Sequence, residues 1–208
     1  MRVIDHLVYA VPNLADGVAE VAQRLGVTPT VGGRHPSFGT HNALVALAGG
    51  GYLEILAPDP TNHTAPRPRW MGVDVLSAPR LTRWAVGSSD LTADAARLAA
   101  YEPELGRVVD GARQRPDGAW LRWRLTVPRP LPEVEVVPFC IDWSGSAALP
   151  TDGLPAPQLR LTALRLTHPD PAAVRPVVEA LGLAVTVTTG PARIAATLVG
   201  PVGTLTLD

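Results

Sequence analysis

Residues 2–26, RVIDHLVYAVPNLADGVAEVAQRLG, contain the start of the fold in one continuous stretch. The β-branched and aromatic residues at its beginning predict a strand, and His6 interrupts the apolar run inside that strand. Apolar residues at helical spacing follow, with Asn13 or Asp16 as the candidate N-cap. Gly26 predicts the end of this helix. The stretch therefore predicts a strand followed by an amphipathic helix.

The same order of elements returns twice further along the chain. Residues 1–58 predict β-α-β-β-β, because three short strand candidates separated by glycine-rich breaks follow the helix. Residues 80–143 repeat that order after a proline-rich connection, and residues 160–208 repeat it again. Three occurrences of one element order predict an α+β protein built from repeated modules.

Composition narrows the classes of function. The 208 residues carry a formal net charge of −1, which gives no electrostatic case for binding nucleic acid or an anionic membrane. All 18 basic residues are arginines, a bias typical of GC-rich bacterial genomes. Cys140 is the single cysteine, so we expect no disulfide framework and a cytoplasmic location. Neither a signal peptide nor an apolar run long enough to span a bilayer is recognisable.

His6 and Glu54 are single polar positions on otherwise apolar strands. Alternation places each of them on a face whose other side chains are hydrophobic. A buried carboxylate without a partner is costly, and His6 is the obvious partner for Glu54. The pattern leaves two interpretations open, a hydrogen-bonded pair in the core or the first two groups of a functional site.

Several stretches resemble the glyoxalase-like domain family of the vicinal oxygen chelate superfamily. The similarity covers residues 2–143, whereas the remaining residues share only the order of elements. The stretches that carry the resemblance are IDHLVYAV (4–11), GGRHPSFGTHNALVAL (32–47), GYLEILAPDP (51–60), RPDGAWLRWRL (115–125) and PFCIDW (138–143).

The resemblance implies a specific architecture. Two modules pair into a half-open β-barrel, or cup, with helices on the convex side and the site inside the cup. The first two modules are the expected pair. The third would leave an unpaired sheet edge, which proteins seldom expose. We therefore expect it to pack beside the other two or to pair with its copy in a homodimer.

The resemblance also implies a divalent metal, such as zinc, iron, nickel or manganese, bound by the first and last strands of each module. In the first module these positions match His6 and Glu54. In the second module Arg83 stands opposite His6, and Asp142 is a tentative third ligand. The third module offers no ligand at either position. The ligand set is therefore incomplete, and metal binding stays an expectation.

The strand AWLRWRL alternates strictly between two faces. The apolar face, which should pack under the helix of its module, comprises Leu121, Trp123 and Leu125. The other face points toward the cup or the solvent and comprises Trp120, Arg122 and Arg124. Within the cup, Arg122 or Arg124 could hold a substrate carboxylate by bidentate hydrogen bonds. The alternative is a salt bridge from these arginines to Glu54 or Asp142.

The loop before the third strand contains further candidates. Successive residues of a strand point to opposite faces, so either His41 or Asn42 should face the cup, and we favour Asn42. His35 either overhangs the mouth of the cup or is a solvated loop residue. The aromatic and aliphatic neighbours of Cys140 favour a packed core thiol over a nucleophile.

Together these features predict an enzyme of glyoxalase or dioxygenase type, a lyase or a dioxygenase, that acts on a small oxygen-rich metabolite. His6 and Glu54 would bind the metal or act as acid and base. The rival prediction is a protein on the same fold that binds a drug or metabolite without turnover.

Overall fold

The computed structural model describes residues 2–115 and 117–208, and the order β-α-β-β-β occurs in it three times. The first set is β1 (Ile4–Ala10), α1 (Leu14–Leu25), β2 (Thr30–His35), β3 (Thr40–Ala46) and β4 (Tyr52–Pro58). The second set is β5 (Arg80–Gly87), α2 (Leu91–Tyr101), β6 (Val108–Gln114), β7 (Trp120–Thr126) and β8 (Phe139–Asp142). The third set is β9 (Arg160–His168), α3 (Pro171–Ala180), β10 (Val187–Thr189), β11 (Arg193–Val199) and β12 (Thr204–Leu207).

Each of these helices begins at a side-chain cap. The Asn13 side chain accepts hydrogen bonds from the backbone N–H groups of Ala15 and Asp16, and Asp90 and Asp170 cap α2 and α3. Of the two cap candidates for α1, the structure selects Asn13. Helix α1 ends at a glycine with φ of 71°, the left-handed conformation that glycine adopts without steric cost.

Eight strands form one curved sheet in the order β2-β3-β4-β1-β5-β8-β7-β6. Strands β1 and β5 pair antiparallel at its centre, and each is flanked by the last strand of its own module in parallel. The two edge strands approach each other, and Arg113 on β6 donates a hydrogen bond across the gap to the Gly32 carbonyl on β2. The predicted pairing of two modules into a cup is confirmed, and the cup is a nearly closed barrel.

The third module repeats the order of elements but not the order of strands. Its four strands run β10-β9-β11-β12, so its first strand is bonded to β10 and β11. In the first two modules the first strand pairs with the last. The third module therefore cannot form the cross-strand pair of site residues that the first module has. It packs beside the other two, one of the two arrangements expected.

Two hydrophobic clusters lie on opposite sides of the barrel sheet. The outer cluster joins the convex face of the sheet, the three helices and the third module into one continuous core. The inner cluster fills much of the cup. No helix in residues 2–115 and 117–208 combines the length and the apolar character needed to cross a bilayer.

The predicted faces of β7 are reversed in the structure. The apolar face belongs to the inner cluster and lines the cup, with Leu121, Trp123 and Leu125. Arg122, Arg124 and Trp120 are exposed on the convex side, and 52% of Trp120 is accessible to solvent. The reason is the position of α2, whose apolar residues pack in the outer cluster with β5 and β8 and leave the outside of β7 in water.

Candidate functional site

A pocket in the barrel interior brings polar groups from both modules together. Its polar lining comprises His6, His35, Asn42, Glu54 and Arg113. Its aromatic lining comprises Phe38, Tyr52, Trp70, Trp123, Phe139 and Trp143. A few polar groups surrounded by aromatic walls are typical of small-molecule sites.

His6 and Glu54 lie close together, as the sequence pattern predicts. Strands β1 and β4 are parallel neighbours, with Val8 opposite Glu54, so both side chains point into the cup. The distance from His6 Nε2 to Glu54 Oε2 is 3.8 Å. The imidazole stacks on the Tyr52 ring at 4.8 Å and meets the edge of Phe139 at 5.3 Å, which fixes the plane of the ring.

Asp5 orients His6, a contact that alternation along a regular strand would not predict. The pairing of β1 with β5 shifts between Ile4 and His6, and this irregularity leaves Asp5 as the extra residue of the strand. Its Oδ1 lies 2.7 Å from His6 Nδ1, and its Oδ2 accepts a hydrogen bond from Trp143 Nε1 at 3.0 Å. Because a carboxylate only accepts, the Nδ1 atom carries the proton in this contact, and Nε2 is the ring nitrogen directed at the pocket.

Asn42 holds the other oxygen of Glu54. Its Nδ2 donates to Glu54 Oε1 at 2.6 Å. Asn42 is buried on β3, whereas the preceding residue, His41, is half-buried. The preference for Asn42 over His41 as the residue inside the cup thus agrees with the geometry. The Asn42 Oδ1 is buried without a hydrogen-bond partner in the described part of the chain.

His35 is a buried wall residue of the pocket, at the end of β2. Its Nδ1 lies 2.9 Å from Thr40 Oγ1, and its ring meets Trp123 edge-on. Burial lowers the pKa of His35 to about 4, with Glu54 opposing this shift and Arg113 adding to it. His35 is therefore neutral at physiological pH.

Several aromatic side chains that line the pocket are partly exposed to solvent. Phe38 and Trp70 pack against each other at 4.3 Å, and both are partly exposed, as is Trp143. The free volume inside the pocket is about 40 Å³, and the pocket opens to solvent.

The donor set does not fit a resident divalent metal. Within residues 2–115 and 117–208 no three His, Cys, Asp or Glu side chains lie close enough to share an ion. Glu54 Oε1 and His6 Nδ1 are bonded to Asn42 and Asp5, so this pair offers only two free donor atoms, Glu54 Oε2 and His6 Nε2. In the second module, Arg83 occupies the position that corresponds to His6. Its guanidinium donates hydrogen bonds to the backbone carbonyls of Leu131 and Arg129.

The other predicted site residues lie outside the pocket. Asp142, the tentative third ligand, accepts a hydrogen bond from Arg124 Nη2 at 2.7 Å and another from Ser144 N at 2.8 Å. The salt bridge between Arg124 and Asp142 was the alternative to a role in substrate binding. Arg122 and Trp120 stack on each other at the surface, with 5.7 Å from Cζ to the ring centroid. Alternation identified two faces on β7 but not which of them the helix covers.

Cys140 is a packed core thiol, as its neighbours predict. Burial raises the pKa of this thiol to about 12, so it is not a thiolate at neutral pH. Sequence reasoning missed Asp5, which lies behind His6, and the pocket residues Arg113, Phe38, Trp70, Trp143 and the inward-facing Trp123. A strand irregularity places Asp5 next to His6, and the connections between strands supply Phe38, Trp70 and Trp143. Neither feature has a periodic signal.

Three solved structures are similar to this chain, and the first of them supports the fold. A hypothetical protein from Staphylococcus aureus is 14% identical, with a TM-score of 0.62 over 100% of this chain and 86% of that chain. Methylmalonyl-CoA epimerase from Mycobacterium tuberculosis is 21% identical, with a TM-score of 0.43 over 67% of this chain and 85% of that chain. Methylmalonyl-CoA epimerase from Streptomyces coelicolor, in complex with 2-nitronate-propionyl-CoA, is 20% identical. Its TM-score is 0.44 over 70% of this chain and 97% of that chain.

No curated protein matches the chain significantly. The sequence profile of the glyoxalase-like domain matches residues 4–182, which spans the first two modules and extends into the third. The chain therefore belongs to the glyoxalase-like domain family of the vicinal oxygen chelate superfamily.

Proposed function

We propose that this protein is an enzyme that moves a proton on a small oxygen-rich metabolite held in the barrel pocket. The observation that carries the proposal is the pair formed by His6 Nε2 and Glu54 Oε2, 3.8 Å apart in a buried pocket. An imidazole lone pair and a carboxylate that face the same space can take and return a proton on one substrate.

The surrounding residues prepare this pair for the reaction. Asp5 holds the proton on His6 Nδ1, so Nε2 is the atom that accepts a proton from the substrate. The imidazolium that then forms faces Asp5 on one side and Glu54 on the other, which stabilises its charge. Asn42 binds only one oxygen of Glu54 and leaves Oε2 directed at the pocket.

The reaction class is removal of a proton from a carbon atom next to a carbonyl group. Such a proton is acidic enough for an imidazole or carboxylate base, and both bases are present. Tyr52, Phe139 and Trp123 line the pocket around the pair with apolar surface, which strengthens the electrostatic interactions there. Isomerisation, epimerisation and elimination all begin with this step.

The test is deuterium exchange measured by proton NMR in D₂O. The probes are pyruvate, 2-oxobutyrate, phenylpyruvate and dihydroxyacetone, each compared with its exchange rate in buffer alone. We expect the wild type to accelerate exchange of at least one probe, with EDTA present. Glu54→Gln and His6→Gln should each slow that exchange by about 100-fold or more. Buffer-level rates for every probe, or rates unchanged in both variants, would refute the proposal.

A second candidate is a binding protein without turnover. The aromatic lining and the small, already hydrogen-bonded set of polar groups favour it. A binder should tolerate His6→Gln or Glu54→Gln with a modest loss of affinity, since neither group then has to transfer a proton. Tight binding of a probe with no exchange in the wild type would identify this second function.

A further inference from the structure

Three arginines are almost completely buried, and their partners differ. Arg83 forms an ion pair with Glu135 at 3.0 Å and donates to several backbone carbonyls. Arg69 donates to the carbonyls of Gly39, Asp59 and Asn62. The terminal nitrogens of these two guanidinium groups are bonded within the protein, although Arg69 Nε has no hydrogen-bond partner among the described residues. Both arginines hold irregular chain segments in place.

Arg113 lacks such an environment. It is only 4% exposed, and its single hydrogen bond within the described residues goes to the Gly32 carbonyl. No carboxylate in that part of the chain lies within salt-bridge distance of it. Burial lowers the pKa of Arg113, while the nearby Tyr52 and Glu54 act in the opposite direction. A buried cation without a paired anion is costly to the folded state.

The position of Arg113 connects this cation to the site. The residue lies on β6 and lines the same pocket as His6 and Glu54, from the opposite side of the barrel seam. Nη1 is fixed by the Gly32 carbonyl, and this leaves the rest of the guanidinium fork for a ligand. A guanidinium matches the two oxygens of a carboxylate better than any other side chain does.

The walls next to Arg113 define the rest of the ligand. Tyr52, Trp123 and Phe139 present aromatic surfaces inside the pocket. Flat unsaturated groups pack on such surfaces in stacked or edge-on geometry. Arg113 also borders a neighbouring groove beside β2, but no aromatic residue lines that groove in the described chain.

We infer that Arg113 is the anion-binding residue of the pocket and that the ligand is a small carboxylate with a flat apolar group, such as an aryl or unsaturated acid. This inference rests on the proposed function only in placing the substrate in this pocket. It replaces Arg122 and Arg124, which lie outside, as the residue for the anionic end of the substrate.

The test compares phenylacetate with phenylacetamide, which has the same shape without the charge. Binding is followed by tryptophan fluorescence, because Trp70, Trp123 and Trp143 line the pocket. We expect the wild type to bind the acid about tenfold or more tightly than the amide. Arg113→Gln should remove that preference, and Arg113→Lys should keep part of it. Arg122→Gln, at the surface, should match the wild type.

Equal affinity for acid and amide in the wild type would overturn the inference, and so would a preference that survives in Arg113→Gln. If Arg113→Gln does not fold, Arg113→Lys still tests the assignment, because a preference unchanged from the wild type in that variant would overturn it. The outcome is separable from that of the exchange test. In Glu54→Gln the proposed chemistry is lost, whereas the preference for the acid over the amide should persist.

Discussion

At the scale of single residues, the orientation of His6 depends on a neighbour that the strand pattern would place on the other face. In a regular strand Asp5 would point away from the cup. The irregular pairing at this position lets its carboxylate reach His6 Nδ1 and Trp143 Nε1 together. Asp5 is thus a positioning residue, which acts on the substrate only through the imidazole.

Replacement of Asp5 should change the tautomer of His6. In the wild type the neutral ring should carry its proton on Nδ1, because the carboxylate accepts that bond. Asp5→Ala should shift the population toward the Nε2–H tautomer, and Asp5→Asn should restore part of the preference, since its Oδ1 still accepts. Nitrogen-15 NMR of histidine-labelled protein measures this, with His6→Gln to assign the signal. Identical His6 spectra for wild type and Asp5→Ala would contradict the role.

His35 should make stability depend on pH. The pKa of about 4 in the folded protein lies below the ordinary value of 6.5, so the unfolded chain binds the proton more readily. The contribution of neutral His35 to the free energy of unfolding is fully present above pH 6.5 and is lost as the pH falls toward 4. Its size is about 3 kcal/mol. Urea unfolding across this range should show that loss in the wild type but not in His35→Gln. Parallel pH profiles for the two proteins would be the contrary result.

At the scale of elements, the sequence supports the prediction of helices and strands better than that of their surroundings. Periodicity and caps such as Asn13 are local signals, so the order of elements and the shared face of His6 and Glu54 could be predicted. Which face of β7 a helix covers depends on tertiary packing, and there the expectation that the apolar face packs under the helix was wrong. Arg122 and Arg124 lie on the solvent side, which the alternation had left open beside the cup. The strand order of the third module, likewise, has no local signal.

Arg83 shows how an irregular segment is fixed to a strand. It stands where the resemblance places a second-module ligand, yet it binds Glu135 and the carbonyls of Leu131 and Arg129. Arg83→Met should lower the free energy of unfolding by about 3–5 kcal/mol, because Glu135 and those carbonyls lose their buried partner. Chemical denaturation of the wild type and of Arg83→Met measures this difference in the free energy of unfolding.

The matched control for Arg83→Met is Arg124→Met on the same sheet. The Arg124 side chain is 52% exposed in its ion pair with Asp142, so its loss should cost less than about 1 kcal/mol. Similar costs for the two variants would mean that Arg83 does not hold the segment in place.

At the scale of the whole molecule, the third module shares one core with the barrel. Backbone hydrogen bonds join it at three points among the described residues: from Leu81 N to the Asp208 carbonyl, from Ala48 N to the Leu159 carbonyl, and from Val202 N to the Leu25 carbonyl. Its buried side chains belong to the same cluster as the outer face of the barrel and the helices. Since that cluster is continuous, the three modules should unfold as one cooperative unit.

The tryptophans make this cooperativity measurable. All five lie between positions 70 and 143, outside the third module, so their fluorescence reports on the first two modules alone. Leu198→Ala, at a fully buried position of β11, should lower the stability seen by tryptophan fluorescence by about 2–5 kcal/mol. Thr206→Ala, on the exposed face of β12, should leave it nearly unchanged. If the third module were an independent unit, Leu198→Ala would leave the fluorescence transition in place, and circular dichroism would reveal a separate, earlier transition. A common shift of both signals would instead mean that the third module stabilises the strands that hold His6 and Glu54.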